Sequence, residues 1–335
     1  MVSINKKLIL IILVLSLLVL AGCRGLSRDR PITDADVRKG REGLVMDFIE
    51  NAPPESVFEG SKETSSVFPI AVELQNKGAS DIEKGLLVFG FEKTYVDVVS
   101  GDDERQEFNI KGKSVFNPNG DEGFITINAQ AKKIGGQSET HPSTILATAC
   151  YLYKTVFGSS ACIDTDIYGI RRGEKVCDIE DLTFGGGQGA PVVITKIETR
   201  MLPDVDENRV KPHFIIQMRN MGKGEVISPE KDEENPDRYI YENACTSKSL
   251  DYKDFNTLII KASLSGTNLN CKVSEEDSES AIIRLRDKED LVRCTLEEPI
   301  GIDRGAYVAP LKIELEYGYT FTVSKDIIIE KILTY

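Results

Sequence analysis

The sequence predicts an all-β chain in which two small antiparallel β-sandwiches follow an N-terminal signal or anchor segment. The first observation is composition: the 335 residues contain no Trp and 7% aromatic residues, while branched aliphatic residues, which suit pleated sheets, are plentiful. The second is period-two alternation of apolar residues in short segments separated by turn signals. The third is that no long helical pattern occurs, which favours antiparallel sandwiches.

The N-terminal segment 1–22 predicts an export signal. Lys6 and Lys7 precede an apolar run over 8–20, which is short for a membrane-spanning helix and ends at Leu20-Ala21-Gly22-Cys23. This ending resembles the lipobox of prokaryotic lipoproteins, and the resemblance implies cleavage before Cys23 and lipid attachment to Cys23. The alternative is an uncleaved signal anchor. Both place the folded part on the outer face of the cytoplasmic membrane, in the cell envelope.

The remaining chain is long enough for two domains. We expect a tether at 23–43, a first sandwich at 44–158, a Gly-rich linker with cysteines at 159–190 and a second sandwich at 191–335. The formal charge of −13 argues against a nucleic-acid partner, because neutralising phosphates requires clustered Lys and Arg. The acidic excess is most simply a solubility device.

Six cysteines remain after Cys23, which is the right number for three disulfides in an oxidising compartment. Their spacing favours the pairs Cys162–Cys177 and Cys271–Cys294, which leaves Cys150 and Cys245 as a bridge between domains. A zinc site is disfavoured because there is no CxxC, and His141 and His213 are the only histidines.

Two segments with the same plan predict an internal repeat. In the first, Ile70, Val72 and Leu74 alternate before a turn at Asn76-Lys77-Gly78; in the second, Phe214, Ile216 and Met218 alternate before Asn220-Met221-Gly222. The offset is 220 − 76 = 144. A second match aligns Pro142 with Pro310, Tyr151 with Tyr319 and Tyr153 with Phe321, an offset of 168, so that each copy closes with an aromatic strand.

The strand that ends in Asn-x-Gly resembles the start of the cell-adhesion-related (CARDB-type) immunoglobulin-like domains of archaeal and bacterial surface proteins. The resemblance covers about 15 residues in each copy and implies two tandem immunoglobulin-like β-sandwich domains. The phrase from Gly43 to Pro54 is also similar to uncharacterised archaeal surface proteins, which imply no activity.

We find no recognisable catalytic frame: there is no Gly-x-Ser-x-Gly elbow, no His-Glu-x-x-His helix, and neither histidine lies in a catalytic motif. The Gly-rich segment 182–194 lacks the Lys-Ser/Thr of a phosphate loop and is interpreted as a hinge into the second domain. Asp204, Asp206 and Asn208 have the oxygen ligands that open a calcium loop, but Arg209 replaces the required glycine, so they are weak calcium candidates. Turn chemistry alone also explains them.

An aromatic cluster is the last candidate: Tyr151, Tyr153, Tyr317, Tyr319 and Phe321. If its face is buried the cluster is core, and if exposed it is a strip for glycan or protein binding; packing of sandwich strands favours core.

We therefore expect a non-catalytic, membrane-anchored structural, adhesion or complex-assembly protein without a cofactor. It would bind a protein or glycan at the cell surface through end loops or an edge strand. The alternative is a solute- or glycan-binding lipoprotein that acts with a transporter or envelope enzyme, and a deep pocket between the domains would favour that alternative.

Overall fold

A computed structural model describes residues 32–60, 66–171, 173–205, 208–246, 248–272 and 282–332. In these residues nearly all of the regular structure is strand, and its sheets pack as immunoglobulin-like sandwiches, so the predicted all-β fold class is confirmed. The signal segment and Cys23 lie outside the described residues.

Strands follow one another along the chain, with two long connections at 165–181 and 228–256. The first half contains α1 (Asp34–Val37), β1 (Leu44–Phe48), β2 (Ser56–Phe58), β3 (Val67–Asn76), β4 (Ile82–Gly90), β5 (Val96–Val98), β6 (Arg105–Ile110), β7 (Glu122–Ala131) and β8 (Thr140–Asp164). The second half contains β9 (Leu182–Thr183), β10 (Val192–Pro203), β11 (Arg209–Asn220), β12 (Glu225–Ile227), β13 (Thr257–Leu264), β14 (Thr267–Asn268), β15 (Asn270–Lys272), β16 (Ile282–Arg284), β17 (Glu289–Thr295), β18 (Ile300–Gly301) and β19 (Ala306–Glu330). Single 3-10 helices cover Ile240–Cys245, Tyr252–Asp254 and Ile302–Arg304.

The two longest strands, β8 and β19, form the middle of a central sheet. They pair antiparallel over their full length, from Thr140 opposite Glu330 to Asp164 opposite Ala306. The central sheet runs in the order β14-β13-β19-β8-β4-β6, with β12, β16 and β2 at its margins. Two smaller sheets complete the layers: a first-half sheet, β1-β3-β7-β5, and a second-half sheet, β15-β17-β11-β10-β9.

The core lies between the central sheet and the two smaller sheets. In β8 the buried side chains are at odd-numbered positions over most of the strand, and the apolar residues of β3 and β11 face them. Ile70, Val72 and Leu74 are buried as the alternation predicts. The described residues from Asp34 onward cluster as one compact unit, and β8 runs through residue 158, where the first predicted domain ends. The predicted domain boundaries stay a prediction.

The two halves are related by a local twofold relation at the centre of the β8–β19 pair. Leu152 and Gly318 oppose each other at that centre, so residue n of β8 corresponds to residue n + 166 of β19 (318 − 152 = 166). Tyr153 therefore corresponds to Tyr319. The sequence alignment, which placed Tyr153 on Phe321, was wrong by two residues, because apolar alternation repeats every two residues and matches equally well after such a slip.

The Asn-x-Gly turn of each half is built around this tyrosine. The Asn76 carboxamide oxygen accepts hydrogen bonds from the Gly78 N–H (3.1 Å) and the Tyr153 hydroxyl (3.1 Å), and its nitrogen donates to the Ser80 carbonyl (2.8 Å). A side chain at Gly78 would collide with the Tyr153 hydroxyl. The motif therefore requires both the asparagine and the glycine.

The second half repeats this arrangement. The Asn220 oxygen accepts from the Gly222 N–H (3.0 Å) and the Tyr319 hydroxyl (3.4 Å), and its nitrogen donates to the Gly224 carbonyl (2.9 Å). A side chain at Gly222 would collide with the Tyr319 hydroxyl. The shared hydrogen bonds support the internal repeat and fix its register.

The second half carries an insertion, 228–256, that has no equivalent in the first. β12 and β13 together correspond to β4, and the insertion joins them. It crosses the outer face of the central sheet, where Tyr241 packs with Leu86 and Ile227 in a second apolar cluster. Lys84 and Glu242 form an ion pair there (3.0 Å).

Three disulfides join the cysteines in the pairs that the spacing favours. Cys150–Cys245 ties the insertion to β8, Cys162–Cys177 closes a loop after β8, and Cys271–Cys294 joins β15 to β17. Of the three, Cys271–Cys294 joins two strands that are already paired in a sheet, whereas the other two attach segments outside the strands to β8.

The tyrosine that bonds to the turn allows a matched test of stability. Tyr153→Phe leaves the buried Asn76 oxygen and the Ser80 N–H each short of a partner, so we expect the free energy of unfolding to fall by about 1–3 kcal/mol. Tyr151 is the control, since its side chain is also buried but its hydroxyl forms no hydrogen bond with the Asn76 turn. Tyr151→Phe should be neutral or stabilising in urea unfolding. Equal losses in both variants would contradict the role of the turn network.

Candidate functional site

A groove runs along one side of the first half, between β1 and β19. We call it the edge groove. It has a volume of about 640 Å³ and is lined by Arg41–Asp47, Pro191, Met221–Glu225 and Tyr319–Val323. Sequence reasoning did not predict it, because one wall comes from the first strand of the chain and the other from the last.

The first wall of the groove is an open strand edge. β1 pairs with β3 on one side and with no other strand of the described chain. The Lys77 N–H donates to the Gly43 carbonyl (2.9 Å) and the Ile49 N–H to the Ala71 carbonyl (3.0 Å), so the odd-numbered residues of β1 bond toward β3. The N–H and C=O of Met46 consequently point away from β3, and among the described residues nothing bonds to them.

The opposite wall is the margin of β19. Residues 321–327 of this strand pair with β8, and along their other side the described chain contributes no strand, since β12 pairs only with 318–320 and β2 only with 328–330. Phe321 and Val323 are half-buried and contribute apolar surface. The groove therefore joins unpaired backbone to an apolar wall.

The equivalent groove in the second half is filled by the chain itself. β10 corresponds to β1, because Met46 lies opposite Leu74 and Ile194 lies opposite Met218, and Leu74 and Met218 are equivalent positions of the repeat. β9 pairs antiparallel with β10 through Leu182 opposite Ile197. The strand edge that is open at β1 is therefore covered at β10.

Gln188 completes this cover. Its side-chain oxygen accepts from the Ile194 N–H (2.8 Å) and its nitrogen donates to the Ile194 carbonyl (3.1 Å). The carboxamide thus satisfies both backbone groups as a neighbouring strand would. Ile194 is the counterpart of Met46, whose two backbone groups have no such partner among the described residues.

An aromatic side chain fills the apolar part of the second-half groove. Phe184 packs edge-on against Phe157 (ring centroids 4.6 Å apart), which is 8% exposed. The counterpart of Phe157 is Val323 in the edge groove. The Gly-rich segment was interpreted in the sequence as a hinge. In the structure, its residues Phe184 and Gln188 cover the groove of the second half.

The edge groove has side chains of both charges among its described residues. Arg41, Glu42, Asp47, Lys223 and Glu225 lie along it. Burial raises the pKa of Tyr319 to about 12, so its hydroxyl stays protonated at neutral pH. The arrangement suits addition of an extended strand, in which main-chain hydrogen bonds form along the edge and an apolar side chain enters the groove.

The aromatic cluster proposed as a possible binding strip is core. Tyr151, Tyr153 and Tyr317 are at most 1% exposed and Tyr319 is 3% exposed, and burial raises the pKa of all four. Phe321 is half-buried and lines the edge groove, and Tyr319 reaches the same groove although it is almost fully buried.

The two histidines lie apart on the surface. His141 Nε2 is 3.0 Å from a Glu92 oxygen and its ring stacks on Tyr95 (centroids 3.7 Å apart). His213 Nδ1 is 3.1 Å from the Thr295 hydroxyl, and partial burial, together with the charges of Arg293 and Lys211, lowers its pKa.

The weak calcium candidates remain a prediction. Asp204 forms an ion pair with Lys211 (2.8 Å), which also lowers the pKa of Asp204, and Asp206 lies outside the described residues. Within the described ranges, no group of three or more His, Cys, Asp or Glu side chains is arranged to hold a metal ion. Within the same ranges, no helix has the length and apolar character needed to span a bilayer.

Comparison with known proteins adds little. No protein-family model matches the chain, and no curated protein matches it. Among solved structures, the serine-rich repeat adhesion glycoprotein Srr1 of Streptococcus agalactiae aligns at 6% identity and a TM-score of 0.18, covering 91% of this chain and all of that one. The CupB6 tip adhesin of Pseudomonas aeruginosa aligns at 11% identity and a TM-score of 0.18, covering 88% of this chain and 99% of that one. Similarities this low support no conclusion about the fold or the function of this chain.

The hydrogen bonds between Gln188 and Ile194 allow a test of how the second-half edge is covered. Gln188→Ala leaves the buried N–H and C=O of Ile194 without partners, so we expect the free energy of unfolding to fall by about 1–3 kcal/mol. Gln137→Ala, at an exposed loop position, is the control and should change it little. Urea unfolding of both variants measures the difference. An unchanged midpoint for Gln188→Ala would show that the carboxamide does not replace a strand.

Proposed function

We propose that this chain is a non-catalytic, membrane-anchored protein of the cell envelope that serves adhesion or the assembly of a surface complex. A partner polypeptide docks by adding an extended strand to β1 in the edge groove. The observation that carries this proposal is the difference between the halves: the same sheet edge is covered by β9 and Gln188 in the second half and open in the first.

Three further features support the surface location. The disulfides favour an oxidising compartment outside the cytoplasm. The leader and Leu-Ala-Gly-Cys ending favour export and anchoring. The net charge of −13 suits a solvent-exposed, soluble domain and not a nucleic-acid binder.

An exposed strand edge normally attracts a partner or is protected. Natural proteins protect such edges with charges, prolines, bulges or a covering segment, and this chain covers its own edge in the second half. The first half leaves the backbone of Met46 beside an apolar wall. We infer that a partner strand, and not solvent, is the functional occupant.

Site-specific photo-crosslinking in intact envelopes tests the groove. A photoreactive residue, p-benzoylphenylalanine, replaces Asp47, which lines the edge groove, or Lys196, its counterpart on the covered edge. We expect a discrete adduct with a second polypeptide from the Asp47 variant and none from the Lys196 variant, because β9 blocks that edge. Equal adducts from both positions, or none from either, would refute strand addition at β1.

Membrane fractionation tests the anchor. Cys23→Ala should release the protein from washed membranes into the soluble extracytoplasmic fraction, since the lipid would supply the attachment. Mass spectrometry of the wild-type N-terminus should show cleavage before Cys23 and an acylated cysteine. A Cys23→Ala chain that stays in the membrane with its leader intact would instead support the uncleaved signal anchor.

A further inference from the structure

The outer face of the second-half sheet carries a group of basic residues on an otherwise acidic protein. We call it the cationic face. It surrounds a concave region of about 620 Å³, and its basic residues are Arg200, Lys211, His213, Lys272 and Arg293. It lies on the solvent side of β10, β11, β17 and β15, away from the edge groove of the first half.

Two of these cations are direct cross-strand neighbours. Lys272 on β15 lies opposite Arg293 on β17, and both are exposed. Like charges opposite each other destabilise a strand pair. Such a pair is stabilised when an anion lies between the two groups, in the way that carboxylates and phosphates bind to Arg and Lys.

The other strong bases of the cationic face are already neutralised. Arg200 pairs with Asp181 (3.0 Å) and Glu198 (2.8 Å), and Lys211 pairs with Asp204 (2.8 Å). Lys272 and Arg293 form no ion pair with any described residue. The positive charge available to a ligand is therefore concentrated at this one pair.

A disulfide holds the pair in place from the other side of the sheet. Cys271 and Cys294 oppose each other one residue from Lys272 and Arg293, and their side chains face the core. β15 is a three-residue edge strand, which would be weakly held without this bond. The disulfide thus fixes two repelling charges side by side.

The rest of the concave region combines apolar surface with hydrogen-bonding groups and one carboxylate, that of Glu297, which accepts a hydrogen bond from the Asn270 amide (2.9 Å). Leu202, Ile215 and Leu296 form apolar surface, while the Thr295 hydroxyl and the His213 imidazole lie beside them. A pyranose ring presents an apolar face and several hydroxyls, and an acidic sugar adds a negative group. These three properties match the apolar surface, the hydrogen-bonding groups and the cation pair.

We propose that the cationic face binds an acidic saccharide. The carboxylate or sulfate of the sugar lies between Lys272 and Arg293, the ring packs on Ile215 and Leu202, and a ring hydroxyl bonds to Thr295 or His213. This is a second binding site, separate from the strand-binding edge of the first half, and it gives the protein a glycan contact in addition to a protein partner.

Binding of defined polymers to the full mature chain tests this proposal. Fluorescently labelled polygalacturonate and dextran sulfate distinguish a carboxylate from a sulfate ligand, neutral dextran controls for uncharged sugar, and a single-stranded oligodeoxynucleotide controls for general polyanion binding. The variant K272Q/R293Q removes the free pair. The matched control K133Q/K325Q removes two positive charges that lie outside the cationic face.

We expect at least one acidic polysaccharide to bind, neutral dextran not to bind, and K272Q/R293Q to lose about tenfold or more in affinity. The control variant should stay within about twofold of wild type, since a change that small reflects net charge alone. Unchanged circular dichroism of both variants would exclude misfolding. The proposal fails if neither acidic polymer binds, if the oligodeoxynucleotide binds as tightly as they do, or if both variants lose affinity equally.

Discussion

The pairing of β8 with β19 is the constraint on which the rest of the molecule depends. Each strand extends through both halves, and the two pair residue by residue from Thr140–Glu330 to Asp164–Ala306. Each half therefore takes one central strand from its own copy of the repeat and one from the other copy. The turns, the small sheets and both candidate sites take their positions from this pair.

The two halves related by the local twofold share the same buried turn and differ at the neighbouring sheet edge. Both halves keep the asparagine, glycine and tyrosine of the turn, because each residue is required by the same buried hydrogen bonds. The halves differ at the neighbouring edge. Thr155 donates to the Val192 carbonyl in the second half, whereas its counterpart, Phe321, lines the edge groove and offers no hydrogen bond. The buried turn is therefore the same in both halves, whereas the sheet edge beside it is covered in one half and open in the other.

The sequence predicts what is local. Alternation in Ile70, Val72 and Leu74 identifies a half-buried strand, and Asn-x-Gly identifies its turn, because both signals lie close together in the chain. The length of β8 could not be predicted, since its second half is held by the start of β19, in the other copy of the repeat. The role of Gln188 could not be predicted either, and its segment was interpreted as a hinge. Its carboxamide bonds to the backbone of Ile194 on the side where the described chain places no strand.

The candidate sites are less evident in the sequence than the fold is. The histidines and tyrosines singled out by residue type lie in surface contacts or in the core, whereas the edge groove is defined by unpaired backbone groups, which residue type does not reveal. The cationic face combines residues from four strands, each ordinary in its own segment. In both places the relevant property arises only from pairing register.

The exchange of central strands has a consequence for cleavage of the polypeptide. A protease that cut between β8 and β9 would produce two fragments, one ending with β8 and the other containing β19. They would remain hydrogen-bonded along both strands and covalently joined through Cys150–Cys245. Nicking of this connection would thus leave the protein assembled, and separation would need both reduction and unfolding.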